Sequence, residues 1–192
     1  MAKQLGFYLE QNYCIGCKTC QTACKDKNNL DVGLLLRKVW QFEGGGYKKQ
    51  GNGMVNTVYS YWLSMACNHC ENPKCAENCP TGAMYKRAED GIVMVDPDKC
   101  IGCRYCTWSC PYEAPQYDPV SKRVVKCDCC VDLLAKGEEP VCVAACVMRV
   151  LHFGDMEELK KKYGDIKEVR GMPSASYTNP SLIINPHKGA VK

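Results

Sequence analysis

The segment Cys100–Ile101–Gly102–Cys103–Arg104–Tyr105–Cys106–Thr107–Trp108–Ser109–Cys110–Pro111 constrains this chain more than any other. It reads C-x2-C-x2-C-x3-C-P, the spacing at which thiolates hold a cubic [4Fe–4S] cluster, with the fourth Cys reaching the other cluster of a pair. Three thiolates two residues apart curl a loop around one corner of the cube. Gly102 suits the tight turn because it has no Cβ to clash, and Pro111 diverts the chain after Cys110.

The pattern recurs. In chain order the first block is Cys14, Cys17, Cys20 and Cys24, again C-x2-C-x2-C-x3-C, with Gly16 at the equivalent position and Lys25 where a Pro is expected. The second is Cys67, Cys70, Cys75 and Cys79, spaced C-x2-C-x4-C-x3-C and followed by Pro80. The third is Cys100, Cys103, Cys106 and Cys110. The fourth is Cys127, Cys130, Cys142 and Cys146, spaced C-x2-C-x11-C-x3-C, with Val147 in place of Pro. Cys129 breaks the spacing of the fourth block and reads as a spare, packed thiol, although a choice between Cys129 and Cys130 is the weakest point of the ligand set. His69 lies inside the second block, whose four Cys already fill a ligand set, so it reads as a hydrogen-bonding or surface residue.

Seventeen Cys in 192 residues is the density of a disulfide-bonded secreted domain. The odd count, the tight C-x2-C blocks and an N-terminus without an apolar leader core argue against that. Zinc modules also use C-x2-C, but seldom place four Cys within eleven residues. The formal charge of +4 counts every thiol as neutral. Four clusters of about −2 each would bring the total to about −4, ligand thiols being deprotonated on metal binding. The apparent basicity is therefore no argument for nucleic acid. Lys18, Lys25, Lys74, Lys99, Arg104 and Lys126, all close to Cys, read as offsetting cluster charge or as a solvated face. No stretch approaches the ~20 apolar residues of a transmembrane helix.

Around the blocks the pattern predicts an α+β chain of short helices and β-hairpins. A helix is expected from Lys18 to Lys27, ended by Asn28–Asn29. Residues 36–64 carry no Cys, are rich in aromatic and β-branched residues, and are punctuated by Gly44–Gly45–Gly46 and Gly51–Asn52–Gly53, which predicts an inserted hairpin. It reads equally as a docking surface and as a cover over a cluster. A hairpin with Asp90–Gly91 at its turn precedes the third block, and another, turning at Asp118–Pro119, precedes the fourth. A helix from Val131 to Lys136 is expected inside the long gap of the fourth block. Asp155–Met156–Glu157–Glu158 opens a further helix, ended by Gly164 and read as a lid over the fourth block. The proline-broken tail reads as an extended arm lying on this chain or on a partner.

The stretch from Cys67 to Pro111 resembles a bacterial two-cluster ferredoxin. There each cluster takes three Cys from one block and the fourth from the other. That resemblance implies Cys67, Cys70, Cys75 with Cys110, and Cys100, Cys103, Cys106 with Cys79. The outer blocks then pair as Cys14, Cys17, Cys20 with Cys146, and Cys127, Cys130, Cys142 with Cys24. The expected organisation is an outer module (1–35 with 112–154), the insertion (36–64), an inner module (65–111) and a C-terminal helix and tail (155–192).

Four blocks nested first-with-last and second-with-third resemble the iron–sulfur subunit of respiratory molybdopterin oxidoreductases, in particular the dimethyl sulfoxide reductase family. The phrases that carry this are YCIGCKTCQTACKD at Tyr13–Asp26, CNHCENPKC at Cys67–Cys75, CIGCRYC at Cys100–Cys106, CPYEAPQY at Cys110–Tyr117 and HFGDMEEL at His152–Leu159. The resemblance implies four [4Fe–4S] clusters, since nitrate reductase relatives with a [3Fe–4S] centre carry Trp where this chain has Cys106. It implies electron transfer between a quinol-handling membrane anchor and a molybdopterin catalytic subunit, within a peripheral membrane complex. Lacking a signal, the chain is expected in the cytoplasm, or exported with a signal-bearing catalytic subunit. No acid, base or nucleophile stands in a catalytic pattern, so the chain is expected to be non-catalytic. The alternatives are the equivalent subunit of a formate dehydrogenase, a polysulfide or thiosulfate reductase or a hydrogenase, a free-standing polyferredoxin, and, from another class, a zinc module.

Overall fold

A computed structural model of the chain describes residues 3–191; the outermost residues of the first and last expected spans, 1–2 and 192, lie outside it. In chain order the strands are β1 (Leu5–Glu10), β2 (Lys38–Gly44), β3 (Tyr47–Gln50), β4 (Gly53–Asn56), β5 (Tyr59–Met65), β6 (Met84–Lys86), β7 (Val93–Val95), β8 (Gln116–Asp118), β9 (Arg123–Val125), β10 (Leu151–Asp155) and β11 (Leu182–Asn185). The helices are α1 (Thr19–Lys27), α2 (Lys74–Glu77), α3 (Tyr105–Ser109), α4 (Val131–Leu134), α5 (Val141–Ala144) and α6 (Met156–Tyr163). The class is α+β, as the patterning predicts.

The nesting is visible in helix packing. α1 of the first block packs on α5 of the fourth, and α2 of the second on α3 of the third. The hairpins β6–β7 and β8–β9 each lead into the block that follows, with Met84 opposite Val95 and Gln116 opposite Val125. The fold is two nested ferredoxin-like units, the outer one interrupted by the inner.

A three-stranded sheet, ordered β10–β1–β11, ties the two ends of the chain together. β1 runs antiparallel to β10, with Phe7 opposite Phe153, and parallel to β11, with Phe7 opposite Leu182. Successive residues of a strand face opposite sides. Phe7 and Leu9 accordingly enter the main core beside Cys20, Cys70 and Cys142. Tyr8 enters a second core with Met156, Leu159 and Ile183. The Tyr8 and Tyr163 rings stack at 3.7 Å, a contact worth about 0.5–1.5 kcal/mol beyond its area. Periodicity does not reveal β1, because a central strand buried on both faces shows no alternation.

One expectation is corrected here. α6 is not a lid over the fourth block; it covers the outer face of this sheet, packing on β1, β10 and β11. Its apolar positions Met156 and Leu159 match the Tyr8 side of the sheet and not the thiols. The tail lies extended on this chain, one of the two placements expected of it. Its apolar run Leu182–Ile183–Ile184 is a buried edge strand on β1. The other elements differ only in extent. α1 begins at Thr19 because Lys18 is left-handed, at φ +62°. α4 stops at Leu134, two residues before the expected end, and Gly137 closes its last turn with an N–H to Leu134 O of 3.0 Å.

The insertion has a base and a tip. β2 pairs with β5, with Phe42 opposite Tyr61, and β3 pairs with β4 beyond them. Tyr61 and Leu63 are buried in the main core. Trp62 lies against Gly16 in the first block, where a Cβ on Gly16 would meet the indole at 2.3 Å. The base thus covers a cysteine loop, while β3 and β4 are exposed along their whole length.

Candidate metal centres

Each cysteine loop is built by backbone placed in the left-handed region. In the first block Gly16 and Lys18 have φ of +66° and +62°, and in the third Gly102 and Arg104 have +68° and +65°. The repeat noticed in sequence is therefore a repeat of dihedral angles. The second block uses His69 at +42°, and the fourth uses Cys129 and Cys130 at +58° and +53°. Such turns aim N–H groups and side-chain donors at sulfur. Met84 N–H lies 3.3 Å from Cys79 Sγ, Cys129 N–H 3.4 Å from Cys127 Sγ, and Thr19 Oγ1 3.4 Å from Cys17 Sγ.

Tertiary packing brings the sixteen block cysteines into four groups. Cys14, Cys17, Cys20 and Cys146 line one cavity. Cys79, Cys100, Cys103 and Cys106 line another. Burial, then the charge of Cys127, Cys142 and Cys130, pushes the Cys24 thiol up to about 12 against the opposing pull of Arg37. Burial, then Cys67, Cys110 and Cys70, raises Cys75. Burial, then Cys103, Cys79 and Cys100, pushes Cys106 up to about 11. A carbon-lined site that crowds four thiols so that each hinders the ionisation of the next suits a polythiolate metal centre: bound metal supplies the charge that lets all four deprotonate. The donor set therefore fits [4Fe–4S] clusters.

The groups stand in a row. Cys20 and Cys24 share α1, and the charges of Cys20 and Cys127 both reach Cys142. Cys24, Cys67 and Cys127 share one apolar cluster, with Cys110 against it. Cys75 and Cys106 share another, flanked by Cys79 and Cys100. The order is Cys14/17/20/146, then Cys24/127/130/142, then Cys67/70/75/110, then Cys79/100/103/106. Cys17 and Cys103, in the two end groups, are the exposed thiols, whereas Cys110 is the only half-buried member of the two middle groups.

Cys130, not Cys129, joins the second group: its charge reaches Cys24. Cys129 is fully buried, and its own neighbours are Cys127, Cys67 and Lys126. His69 is fully buried too, which removes the surface reading. Of the basic residues expected near clusters, Lys126 is the one that is buried; its Nζ donates to the carbonyls of Val93 and Cys127. Lys74 and Lys99 instead pair with Glu77 and Asp96, and Arg104 lies 3.7 Å above the Tyr117 ring.

Sequence reasoning misses Arg37. It is 1 % exposed, donates to Ser64 O and Oγ at 3.4 and 3.2 Å, and lies 4.7 Å from the Phe7 ring centroid. Ser64 Oγ in turn lies 3.3 Å from Cys20 Sγ. Burial alone would lower the Arg37 pKa, but the thiolates of Cys142, Cys127, Cys20 and Cys24 raise it. A permanent cation thus stands between the first and second groups. No local pattern marks it, because Arg37 lies thirteen residues from the nearest Cys.

Such an arrangement defines an iron–sulfur protein built to carry electrons. Residues 58–156 match the 4Fe-4S dicluster domain. The chain is 46% identical to the B subunit of the anaerobic dimethyl sulfoxide reductase of Escherichia coli (strain K12), over 97% of this chain and 91% of that subunit. It is 42% identical to the subunit of the same name from Haemophilus influenzae, over 98% and 92%. It is 40% identical to the B subunit of the polysulfide reductase of Wolinella succinogenes, over 98% and 97%. The protein belongs to this family of iron–sulfur subunits, and is an electron-transfer subunit carrying [4Fe–4S] clusters. Among the described residues no helix is long and apolar enough to cross a membrane.

Proposed function

We propose that the chain carries four [4Fe–4S] clusters and passes single electrons between a quinol-handling membrane subunit and a molybdopterin catalytic subunit of a dimethyl sulfoxide reductase-like complex. The observation that carries this reading is the row of four thiol groups with an exposed thiol in each end group. The ligand sets are Cys14, Cys17, Cys20 and Cys146; Cys24, Cys127, Cys130 and Cys142; Cys67, Cys70, Cys75 and Cys110; and Cys79, Cys100, Cys103 and Cys106. When bound, each cluster supplies a one-electron couple whose potential depends on hydrogen bonds to sulfur, nearby charge and exposure.

The chain's own residues do the rest. The left-handed turns hold the thiols in place, Trp62 of the β2–β5 base packs against Gly16 of the first loop, and Arg37 and Lys126 supply buried positive charge. The chain has no catalytic site of its own; substrate chemistry belongs to its partner. It sits peripherally on the membrane through the anchor subunit. The modules are 1–35 with 112–154, and 65–111, with 36–64 as insertion and 155–192 as closing helix and strand. The likeness to the polysulfide reductase B subunit supports a second reading, in which the same conduit serves a sulfur-compound reductase.

The test is anaerobic purification of the complex with iron and acid-labile sulfide counts and EPR after reduction. About sixteen irons with matching sulfide, and a co-purifying molybdopterin subunit, are expected. Zinc without sulfide would sink the reading, and a catalytic partner without molybdopterin would sink the partner assignment.

A further inference from the structure

His69 stands where the second and third thiol groups meet. Its side chain has no exposed surface. Val93 N–H donates to Nδ1 at 3.0 Å, so Nδ1 offers a lone pair and the ring proton sits on Nε2. Nε2 is buried and has no hydrogen-bond partner among the described residues. A buried donor without an acceptor is costly, and the acceptors within its reach are sulfurs. A His69 ring nitrogen and the Sγ atoms of Cys127 and Cys129 lie within 4.8 Å of one another. Cys67, in the third group, lies beside it as well. The backbone is committed to this placement. His69 O accepts from Ser181 Oγ at 3.0 Å and from Gln4 Nε2 at 3.3 Å, which anchors the left-handed residue to both ends of the chain.

We propose that His69 is the positioning residue of the middle junction: its Nε2–H donates to the sulfurs of Cys67 and Cys127, joining one ligand of the inner module to one ligand of the outer. This rests on the four-centre reading above. An N–H directed at a thiolate favours the more negative, reduced state, because the donor's partial positive charge faces the added electron. A donor shared by two groups does so at both. It also gives the junction a polar link beside the one that Lys126 makes through the carbonyl of Val93. Cys129 is not part of the link as a ligand; its backbone N–H holds Cys127 Sγ in position.

The test is potentiometric titration monitored by EPR on the intact, anaerobically purified complex, comparing wild type, His69→Leu and His69→Gln. All should retain about sixteen irons. In His69→Leu two of the four midpoints should fall, each by on the order of tenfold in the reduction equilibrium, or about 59 mV for a one-electron couple. The other two should stay. His69→Gln keeps an N–H and an oxygen acceptor and should recover part of both shifts. Pulsed EPR on protein labelled with ¹⁵N-histidine should show nitrogen coupling to a reduced centre in wild type.

A shift of one midpoint, of none or of all four would overturn the proposal, as would His69→Gln falling as far as His69→Leu. If His69→Leu loses iron, the other two measurements decide. Partial shifts of two midpoints in His69→Gln with ¹⁵N coupling in wild type support the link, and either one missing overturns it. An iron count far below sixteen in the unmodified complex would instead overturn the four-centre reading itself.

Discussion

Replacing Gly102 by Ala should cost the chain one metal centre, and the reason is a single close approach. Gly102 has φ +68°, and a Cβ there would lie 2.3 Å from Lys122 O and 3.3 Å from Tyr117 Cε2. The left-handed conformation alone costs a non-glycine residue roughly 1–2 kcal/mol. The clash adds to this. Lys122 O is backbone in the turn between β8 and β9, so it has no rotamer to escape into. Opening the contact means shifting that hairpin or the cysteine loop, at roughly 1–3 kcal/mol for an overpacked site. The sum is about 2–5 kcal/mol. Gly137→Ala is the matched control: φ is +76°, but nothing lies within 4 Å of the added carbon. It should show the conformational cost alone. By thermal unfolding under anaerobic conditions, Gly102→Ala should melt below Gly137→Ala by roughly 2–12 °C, at about 2–4 °C per kcal/mol for a chain of this size. Iron should fall from about sixteen to about twelve in Gly102→Ala and stay near sixteen in Gly137→Ala, because the displaced loop carries three of one cluster's four thiolates. Equal melting temperatures and equal iron in the two variants would refute the close-approach argument.

Arg37→Met should lower the midpoints of the two centres that flank the guanidinium and leave the other two in place. The size should be on the order of 2 kcal/mol at each, for one charge several ångströms away at an effective dielectric near 20, read by EPR-monitored titration; unchanged midpoints would exclude the electrostatic role. Cys130→Ala should remove one centre's worth of iron, whereas Cys129→Ala should retain the full count; the reverse result would exchange their roles. Glu10 tests pH dependence away from the clusters. Burial would raise its pKa, but hydrogen bonds from Asn185, Tyr8 and Asn12 outweigh this and hold it below the usual carboxylate range. Its contribution to stability is therefore full above the unfolded pKa of about 4.3 and is lost as pH falls through the folded value. Glu10→Gln should flatten the acid limb of a stability–pH curve, and an unchanged limb would rule out this contribution.

Much of the site is legible in the chain because cluster chemistry dictates spacing. Three thiolates around one corner of a cube require short, fixed separations, and the left-handed positions that also meet a close neighbour are Gly16 and Gly102. The hairpins β6–β7 and β8–β9 are legible for a similar reason: their turns have a local chemical signature. The first long-range contacts are where legibility ends. β1 is buried on both faces and shows no period. β11 looks like a broken tail until β1 gives it a partner. α6 has an unmistakable apolar stripe, but a stripe does not say what it will cover.

The same division separates the ligands from their surroundings. Sequence alone determined that this is an iron–sulfur protein and laid out four repeated cysteine blocks, since covalent spacing and loop geometry are local properties. Only the tertiary structure decided that the four thiol groups stand in a row, that Cys130 and not Cys129 faces Cys24, and that Arg37 and His69 occupy the junctions. Those positions depend on helices and strands far apart in the chain packing against one another. Burial is what gives a lone cation or a lone imidazole its leverage there, because water no longer screens it.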